Sequence, residues 1–578
     1  MKKAALNLVL ILLAGLSACR FSGGEGVMTG IIPRPVQVEY LGRELKLERG
    51  ISLDVVPGNL EFAGEWMTAE LKRLQDAGII PLGTKAPAEI RMKLDNLFAQ
   101  PEGYRLEIRR HIELTARDER GIFYGLQTLI QILWQAGTKA DNTVVPAMMI
   151  TDYPLFPCRG VRLDAVRYEL SSGFIKKYVE LMAMHKMNVL LWRFHETLFV
   201  QPDTVSELVN YARKRGVMLI PETGALSGTA VPPGKTEGAE EVVICSDWYP
   251  EPTAEEDRGP LERIYSLKPE CSNSGETVEQ GIPGILGIIP SDSLYSGTWL
   301  EYRSLPGMTA LSELLWSPRE GMDFPDFLRR LEPFLRQLTL AGYRFHIPVP
   351  RSLLGNYIFM DSVRVELGNP WPFARIRYTL DGTEPAVHSP VYEKPFVLKR
   401  PAVLKTRLFL ESGRHSETRS FRYRRVSPVP SYSQDPGELK SGLICKYYEQ
   451  KLRSVGAVKK YRPKRDTVVE RISLPEKRSK EGFALEFTGY LKVSRRAVYT
   501  FRMCSDYGSR FLLGETLVID HDGRHASTAA FGQVALEPGY YPIYAGYFDS
   551  GGKSFLQLQY RNDGDGWSEI PPERLFHR

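Results

Sequence analysis

The chain has 578 residues, of which 43% are hydrophobic and 25% are charged, so it can bury several cores and should form three or four domains. Its formal net charge of +6 is small for this length, and the basic residues are scattered, which gives no case for nucleic acid as a partner. Beyond the amino terminus, no stretch reaches the roughly 18 apolar residues that a membrane-spanning helix needs.

The amino terminus predicts a secretory signal. Two lysines precede an apolar run that ends in small residues just before Cys19. This arrangement resembles a bacterial lipoprotein signal, in which Cys19 becomes the lipidated first residue, and an ordinary signal peptide cut nearby is the alternative. We therefore expect residues 1–19 to be the signal and residues 20–29 to be a flexible tether. The lipid on Cys19 would hold the protein in the cell envelope, at the outer membrane or the cell surface.

Cysteine usage predicts neither a metal nor a cofactor. Five cysteines remain beyond Cys19, and none is in a C-x-x-C spacing, so zinc is not expected. Most of the five should be buried thiols. They are Cys158, Cys245, Cys271, Cys445 and Cys504.

Two regions of mixed structure come first. Residues 30–150 combine strand-like and helical runs, which predicts an α+β domain. Residues 151–350 begin with a short buried strand at 161–165, a helix at 174–184 and a second buried strand at 189–192. Such a unit opens a parallel barrel or a doubly wound sheet.

Two all-β modules follow, because alternating runs split by Asp-Gly and Gly turns replace the helical pattern. The first covers residues 351–425 and the second covers residues 441–578. The Pro/Ser-rich stretch 426–440 predicts an extended linker between them. The chain as a whole is therefore expected to be a multidomain protein of α/β and all-β parts.

Several motifs, in this order, resemble the family 20 glycoside hydrolases, the β-N-acetylhexosaminidases and chitobiases. The segment 152–192 resembles the family pattern D-x-P-x-F, R-G-x-x-L-D-x-x-R and K-x-N-x-x-x-W. Residues 102–104 and 121–129 resemble the non-catalytic domain that precedes the barrel in these enzymes. The run T-L-D-G-T-E-P at 379–385 resembles the immunoglobulin-like domain that ends chitobiases, and the last module resembles the protective-antigen-type β-sandwich. The resemblance implies a TIM-like (β/α) barrel.

The resemblance also implies a site at the carboxyl ends of the barrel strands. Arg167 aligns with the family arginine that binds hydroxyls of the terminal sugar, although a salt bridge to Asp164 is the alternative. Glu196 stands where the family has an aspartate, and Arg193 where it has a histidine. Glu222 matches the glutamate of P-E-x-D-x-P-G-H, whose later aspartate and histidine are missing here.

A third strand end adds aromatic and acidic residues. The stretch 245–251 resembles the family's W-Y-x-D/N, in which the tyrosine holds the acetamido carbonyl of the substrate and the acid orients its N–H. Tyr249 and Glu251 would take these roles beside Trp248. A structural role for the two aromatic residues is the alternative.

The two carboxyl groups that the family's chemistry needs are not found. The family hydrolyses by substrate assistance and requires adjacent Asp and Glu residues in G-G-D-E on the fourth strand, yet no such sequence occurs. About fifteen residues separate Gly224 from Glu240, where the family has roughly three βα units. The barrel should therefore be shortened, without strands four to six. Glu196 and Glu222 could form a replacement pair, or could be solvated loop residues.

Two functions remain open. One is an enzyme that removes terminal N-acetylhexosamine with Glu222 and Glu196 as its carboxyl groups. The other is a non-catalytic glycan-binding protein that keeps Arg167 and the residues around Tyr249. The family resemblance favours the enzyme, and the residues favour the glycan-binding protein. Calcium-dependent sugar binding by the last module is in doubt, because Asp506-Tyr507-Gly508 stands where sugar-binding members have D-D-G. The oligomeric state is left open.

Overall fold

The computed structural model describes residues 30–47, 50–54, 60–81, 88–95, 99–136, 144–165, 169–195, 202–224, 243–245, 259–267, 284–289, 296–432, 437–525, 527–551, 554–562 and 565–578. The chain divides into two compact units, 1–251 with 258–346, and 252–257 with 347–578. None of the helices in these ranges is long and apolar enough to cross a membrane.

The first unit begins with the predicted α+β domain. Its six-stranded mixed sheet has the order β1-β6-β4-β5-β3-β2. The strands are β1 Gln37–Lys46, β2 Ile51–Asp54, β3 Ala88–Leu94, β4 Tyr104–Ile108, β5 Ile112–Ala116 and β6 Val144–Asp152. Two helices accompany the sheet, α1 Glu61–Asp76 and α2 Glu119–Ala136.

Helix α2 is buried along almost its whole length, and most of its buried residues are apolar, with Gln127, Thr128 and Gln131 as buried polar residues among them. It approaches the sheet closely at Gly125, where a Cβ atom would lie 2.3 Å from Cδ1 of Leu114. On its other side it packs against helices of the following region. The α+β domain and the parallel-sheet region therefore share one core.

The rest of the first unit is built on a parallel sheet of five strands, with the order β10-β11-β7-β8-β9. These strands are β7 Cys158–Ala165, β8 Val189–His195, β9 Met218–Gly224, β10 Val243–Cys245 and β11 Gly284–Ile289. The helices are α3 Ser172–Met184, α4 Pro202–Lys214, α5 Pro260–Tyr265, α6 Gly297–Ser304, α7 Gly307–Trp316 and α8 Phe324–Leu340. The predicted strand–helix–strand unit at 161–192 is confirmed.

The order of this sheet fits part of a barrel. Strand β7 is the first strand of this sheet along the chain and β11 is the last, and the two pair with each other. The first and last strands of a closed barrel pair in the same way. Strands β9 and β10 lie at the two edges of the sheet in the described part of the chain. Leu190 and Trp192 are buried on one face of the sheet, and Met218, on the other face, is 49% exposed. In a full barrel the inner face of the sheet is instead filled by packed side chains. The catalytic region is thus partial.

The second unit is all-β. A four-stranded sheet, β12-β17-β16-β14, and the pair β13-β15 form the first module, and an eight-stranded and a four-stranded sheet form the second. The strands of the first module are β12 Asn356–Phe359, β13 Val363–Val365, β14 Arg375–Thr379, β15 Phe396–Leu398, β16 Ala402–Phe409 and β17 Arg419–Arg425. Those of the second are β18 Lys440–Ser441, β19 Leu443–Tyr448, β20 Arg465–Val469, β21 Phe483–Val493, β22 Ala497–Ser505, β23 Ser509–Leu513, β24 Thr516–His521, β25 Thr528–Leu536, β26 Gly539–Asp549, β27 Leu556–Asn562, β28 Ser568–Glu569 and β29 Leu575–His577.

The predicted linker is partly attached to the last module. The backbone N–H of Val429 donates to the carbonyl of Ala535 at 2.8 Å, and the Tyr541 hydroxyl donates to the Val429 carbonyl at 2.8 Å. Val429 also packs against the sandwich core. This stretch is extended, as predicted, and it is held along an edge of the sandwich.

Among the cysteines that the structure describes, Cys445 is buried, Cys158 and Cys504 are half-buried, and none of the three forms a disulfide. Cys19, Cys245 and Cys271 have no described side chain.

Candidate functional site

The candidate site lies at the carboxyl edge of the parallel sheet, where the strands β7 to β11 end together. Arg167 and Glu196 follow the ends of β7 and β8 in the sequence, and Trp248, Tyr249 and Glu251 follow β10. All five lie outside the described residues. For Glu222 the backbone is described, in β9, and its side chain is not.

The register of the sheet aligns three charged residues near this edge. Arg193 of β8 is paired with Asp164 of β7 on one side and with Glu222 of β9 on the other. Neighbouring strands lie about 4.8 Å apart, so the three backbone positions form one row. From the sequence, Arg193 is predicted only as a replacement for a family histidine, and its position beside Glu222 is not predicted. A sequence signal for this row exists, because Asp164, Arg193 and Glu222 each lie near the carboxyl end of one of three consecutive predicted strands.

The most recognisable motif residues are not in this site. They form a buried polar cluster between the α+β domain and the amino ends of β7 and β8, at the opposite end of the sheet. We define the buried polar cluster as Glu102, Tyr104, Asp152, Arg159, Lys186, Asn188 and Trp316, all of them at most 7% exposed.

Asp152 is the centre of one half of the buried polar cluster. Its carboxylate is fully buried and accepts hydrogen bonds from Tyr104 Oη at 2.6 Å and Lys186 Nζ at 2.8 Å. Trp316 Nε1 donates at 2.9 Å to the other oxygen, and the Lys186 ammonium lies 4.4 Å from the Trp316 ring centroid. Burial lowers the pKa of Lys186, while Asp152 opposes this shift. Burial and then the Asp152 charge raise the pKa of Tyr104 well above its usual value.

Arg159 is the centre of the other half. Its guanidinium donates to Glu102 Oε2 at 2.7 Å and to the Lys186 carbonyl at 2.8 Å, and it lies over the Trp316 ring. Asn188 links the start of β8 to the start of β7, because its Oδ1 accepts a hydrogen bond from the Arg159 backbone N–H at 2.8 Å. These residues hold the barrel region on the α+β domain. Their role is structural.

Two members of the cluster have unusual backbone conformations. In the described ranges, the non-glycine residues with positive φ are Glu102 at 58° and Lys186 at 54°. Such a conformation costs roughly 1 kcal/mol or more and persists where surrounding contacts fix it. The ion pairs of the buried polar cluster supply those contacts.

A groove of about 830 Å³ lies beside this cluster, lined by Glu102, Asp118, Arg120, Pro154 and Pro157 among others. Pro157 immediately precedes β7, so the groove is at the amino ends of the parallel strands. Barrel enzymes carry their chemistry at the carboxyl ends. The groove is therefore not the counterpart of the predicted site.

In the last module, the residues of the D-D-G-like turn serve packing. Asp506 is buried, and its Oδ1 accepts from the Tyr547 hydroxyl at 2.6 Å and from the Phe555 N–H at 2.9 Å. The Tyr507 hydroxyl donates to the Gly551 carbonyl at 2.9 Å. No cluster of three potential metal-binding side chains occurs in the part of the chain that is described.

Comparison with known proteins identifies four domain matches. Residues 28–153 match domain 2 of glycosyl hydrolase family 20, and residues 156–198 match the catalytic domain of that family. Residues 355–420 match the chitobiase/β-hexosaminidase C-terminal domain, and residues 439–574 match the PA14 domain. The catalytic-domain match ends shortly after β8.

Individual relatives agree with these matches. The chain is 22% identical to a β-hexosaminidase of Porphyromonas gingivalis, over 89% of this chain and 90% of the relative. It is 27% identical to a β-hexosaminidase of Vibrio furnissii, over 33% of this chain and 31% of that protein. A solved N-acetyl-β-hexosaminidase of Streptomyces plicatus matches with a TM-score of 0.45 and 17% identity, covering 55% of this chain and 96% of that one.

The alignment with the Porphyromonas protein also measures what is missing here. It is 710 positions long and covers 89% of this chain, which is about 514 residues, so about 196 of its positions are occupied only in the relative. With matches to domain 2 and to part of the catalytic domain of glycosyl hydrolase family 20, to the chitobiase-type C-terminal domain and to the PA14 domain, the chain is similar to the family 20 β-hexosaminidases.

Proposed function

We propose that this protein binds glycans that end in N-acetylhexosamine and does not hydrolyse them. The observation that carries the proposal is the connection between β9 and β10. Strand β9 ends at Gly224 and β10 begins at Val243, so the segment 225–242 joins them. A single βαβ unit takes about 30 residues or more, which makes this connection too short for three βα units.

The sheet order supports the same reading. If β7, β8 and β9 correspond to barrel strands one to three, and β10 and β11 to strands seven and eight, the missing strands are four to six. The fourth strand carries the family's adjacent Asp and Glu. Positioned general acid catalysis contributes about 10²–10⁴-fold to rate, and the loss of the polarising carboxylate adds to the deficit.

Arg193 makes Glu222 a poor replacement acid. The two residues are neighbours across β8 and β9. An arginine at the paired backbone position counts against Glu222 as the general acid, because a nearby guanidinium favours the ionised form of a carboxyl group and a general acid must be protonated. The remaining candidates, Arg167, Trp248, Tyr249 and Glu251, fit the binding of a sugar ring and its acetamido group, for which no proton transfer is needed.

Hydrolysis and binding assays on the full chain test this proposal. We expect no turnover of a chromogenic N-acetylglucosaminide above the uncatalysed rate, and binding of N-acetylglucosamine that is about tenfold weaker or more in Arg167→Ala, because one charged hydrogen-bond donor to the sugar contributes roughly 1.5–3 kcal/mol. Arg213→Ala, in the exposed face of α4, is the control and should leave affinity unchanged.

Turnover that disappears in Glu222→Gln would overturn the proposal in favour of the enzyme. Absence of both turnover and binding would refute the glycan-binding function as well. Either result is decisive, since the two assays use the same protein preparation.

We further propose that a lipid on Cys19 anchors the protein in the cell envelope. The motivation is the charged, apolar and small-residue order of the segment 1–19. We expect the mature protein to partition into the detergent phase of a Triton X-114 extraction and Cys19→Ala to move to the aqueous phase. Equal partitioning of the two forms would contradict lipidation.

A further inference from the structure

The positive charge of the chain is concentrated in one segment of the PA14 domain. Residues 451–480 contain eleven Lys and Arg residues and three Asp and Glu residues, a net charge of +8, whereas the whole chain carries +6. The rest of the chain is therefore net −2. The interpretation of the basic residues as scattered is wrong for this segment, and all eleven of its basic side chains are exposed.

The fold brings two basic runs of this segment together at Tyr447 of β19. The Lys464 N–H donates to the Tyr447 carbonyl at 2.7 Å, and the Ser479 N–H donates to the Tyr447 hydroxyl at 2.9 Å. Arg465 lies 4.6 Å from the centroid of the Tyr447 ring and donates to the Lys477 carbonyl at 2.7 Å. Residues 459–465 and 477–480 thus form one surface, which we call the basic surface. It has eight basic residues and no acidic one.

The basic surface stands on a fixed support. The 3₁₀ helix Val455–Lys460 leads into it, and Val455 and Val458 are at most 3% exposed. They pack in a small apolar cluster with Tyr448 and Phe548 of the sandwich. The charged side chains therefore project from an ordered backbone, which reduces the conformational entropy that a ligand must remove.

Most of this charge is not neutralised within the protein. Lys464 forms an ion pair with Glu449, but Lys459, Lys460, Arg462, Lys477, Arg478 and Lys480 form none with any carboxylate that the structure describes. Elsewhere in the same domain, arginines are paired, as Arg495 is with Asp565 and Arg510 with Asp520. Like charges held together repel one another, so an anionic partner would relieve this repulsion.

We propose that the basic surface binds an anionic polysaccharide, one that carries sulfate or carboxylate groups. Guanidinium groups match such oxyanions with paired hydrogen bonds. Tyr461, 43% exposed between Lys460 and Arg462, offers an aromatic face to a sugar ring. A glycan partner also fits a chain of the family 20 glycoside hydrolases. The inference does not depend on whether the barrel region binds or hydrolyses N-acetylhexosamine.

Heparin is the probe for the test, with the full chain and titration at several salt concentrations. We expect the triple variants K459Q/K460Q/R462Q and K477Q/R478Q/K480Q each to weaken binding by about tenfold or more, and to flatten the dependence of affinity on salt, because fewer counterions are displaced. The control K394Q/K399Q/R400Q removes the same charge from exposed positions in the chitobiase-type domain and should change affinity less than about twofold.

Two results would overturn the proposal. One is heparin affinity that neither triple variant lowers, or no heparin binding at all. The other is tighter binding of duplex DNA, or of phosphatidylglycerol vesicles, that the same variants abolish and heparin does not displace. Because the substituted side chains are exposed, unchanged thermal unfolding will show that the variants are folded.

Discussion

Replacing Asp152 by asparagine is expected to lower the free energy of unfolding of the first compact unit by about 3–5 kcal/mol. The carboxylate is fully buried and is the acceptor for Lys186, Tyr104 and Trp316. The amide keeps the size of the side chain but has no charge and only one acceptor oxygen. The Lys186 ammonium would then be buried without its counter-charge, since its only other ring and hydroxyl contacts in the cluster are neutral.

Urea unfolding followed by tryptophan fluorescence measures this loss, with Trp316 as a reporter inside the buried polar cluster. Glu89→Gln is the matched control in the same domain, because it removes one partner of an ion pair that is 49% and 32% exposed. Pairs of that kind contribute less than about 1 kcal/mol. If the two variants lose the same stability, the buried polar cluster does not hold the domains together as described.

Replacing Glu313 by glutamine is expected to cost about 3 kcal/mol. Glu313 in α7 is fully buried and accepts two hydrogen bonds from Arg330 of α8, at 2.5 and 2.6 Å. It also accepts from the Tyr265 hydroxyl of α5 at 2.9 Å and from the Arg34 backbone N–H at 3.1 Å. One carboxylate therefore ties its own helix to α8, to α5 and to the segment that precedes β1.

The expected loss is smaller than for Asp152, because Arg330 keeps a second partner. Burial disfavours the charged guanidinium, but Glu313 and Asp326 outweigh it and raise the pKa of Arg330. Asp326→Asn is the control, since this carboxylate is 22% exposed and Arg330 keeps its two hydrogen bonds to Glu313 when the Asp326 charge is removed. We expect it to cost about 1 kcal/mol or less in the same urea experiment. A larger loss for Asp326→Asn than for Glu313→Gln would contradict the assignment.

The two buried carboxylates and the predicted site lie in different parts of the first compact unit. The motifs that match the family most clearly hold the α+β domain against the amino ends of the strands, and they are intact. Under the proposed function, the family's catalytic residues would belong to the opposite end of the sheet, on strands that the short connection between β9 and β10 does not provide. The proposed absence of hydrolysis is therefore compatible with these motifs, because their residues serve packing between the two domains rather than chemistry.

The sequence determined the helices and strands, because the spacing of apolar residues along a helix or a strand is a local property. The predicted helix 174–184 is observed as Ser172–Met184, and the predicted strand 189–192 as Val189–His195. It also determined the shortening of the barrel, since the length of chain between two strands limits what can be built between them.

Only the tertiary structure decided which distant residues meet. That β11 pairs with β7, that Lys186 reaches Asp152 and that two basic runs converge at Tyr447 depend on how segments far apart in the chain fold together. Such contacts leave no periodic pattern, because each depends on the packing of whole elements rather than on neighbours in the sequence. For the same reason, the role of the R-G and K-x-N motifs as a buried junction could be assigned only once both domains were seen in contact.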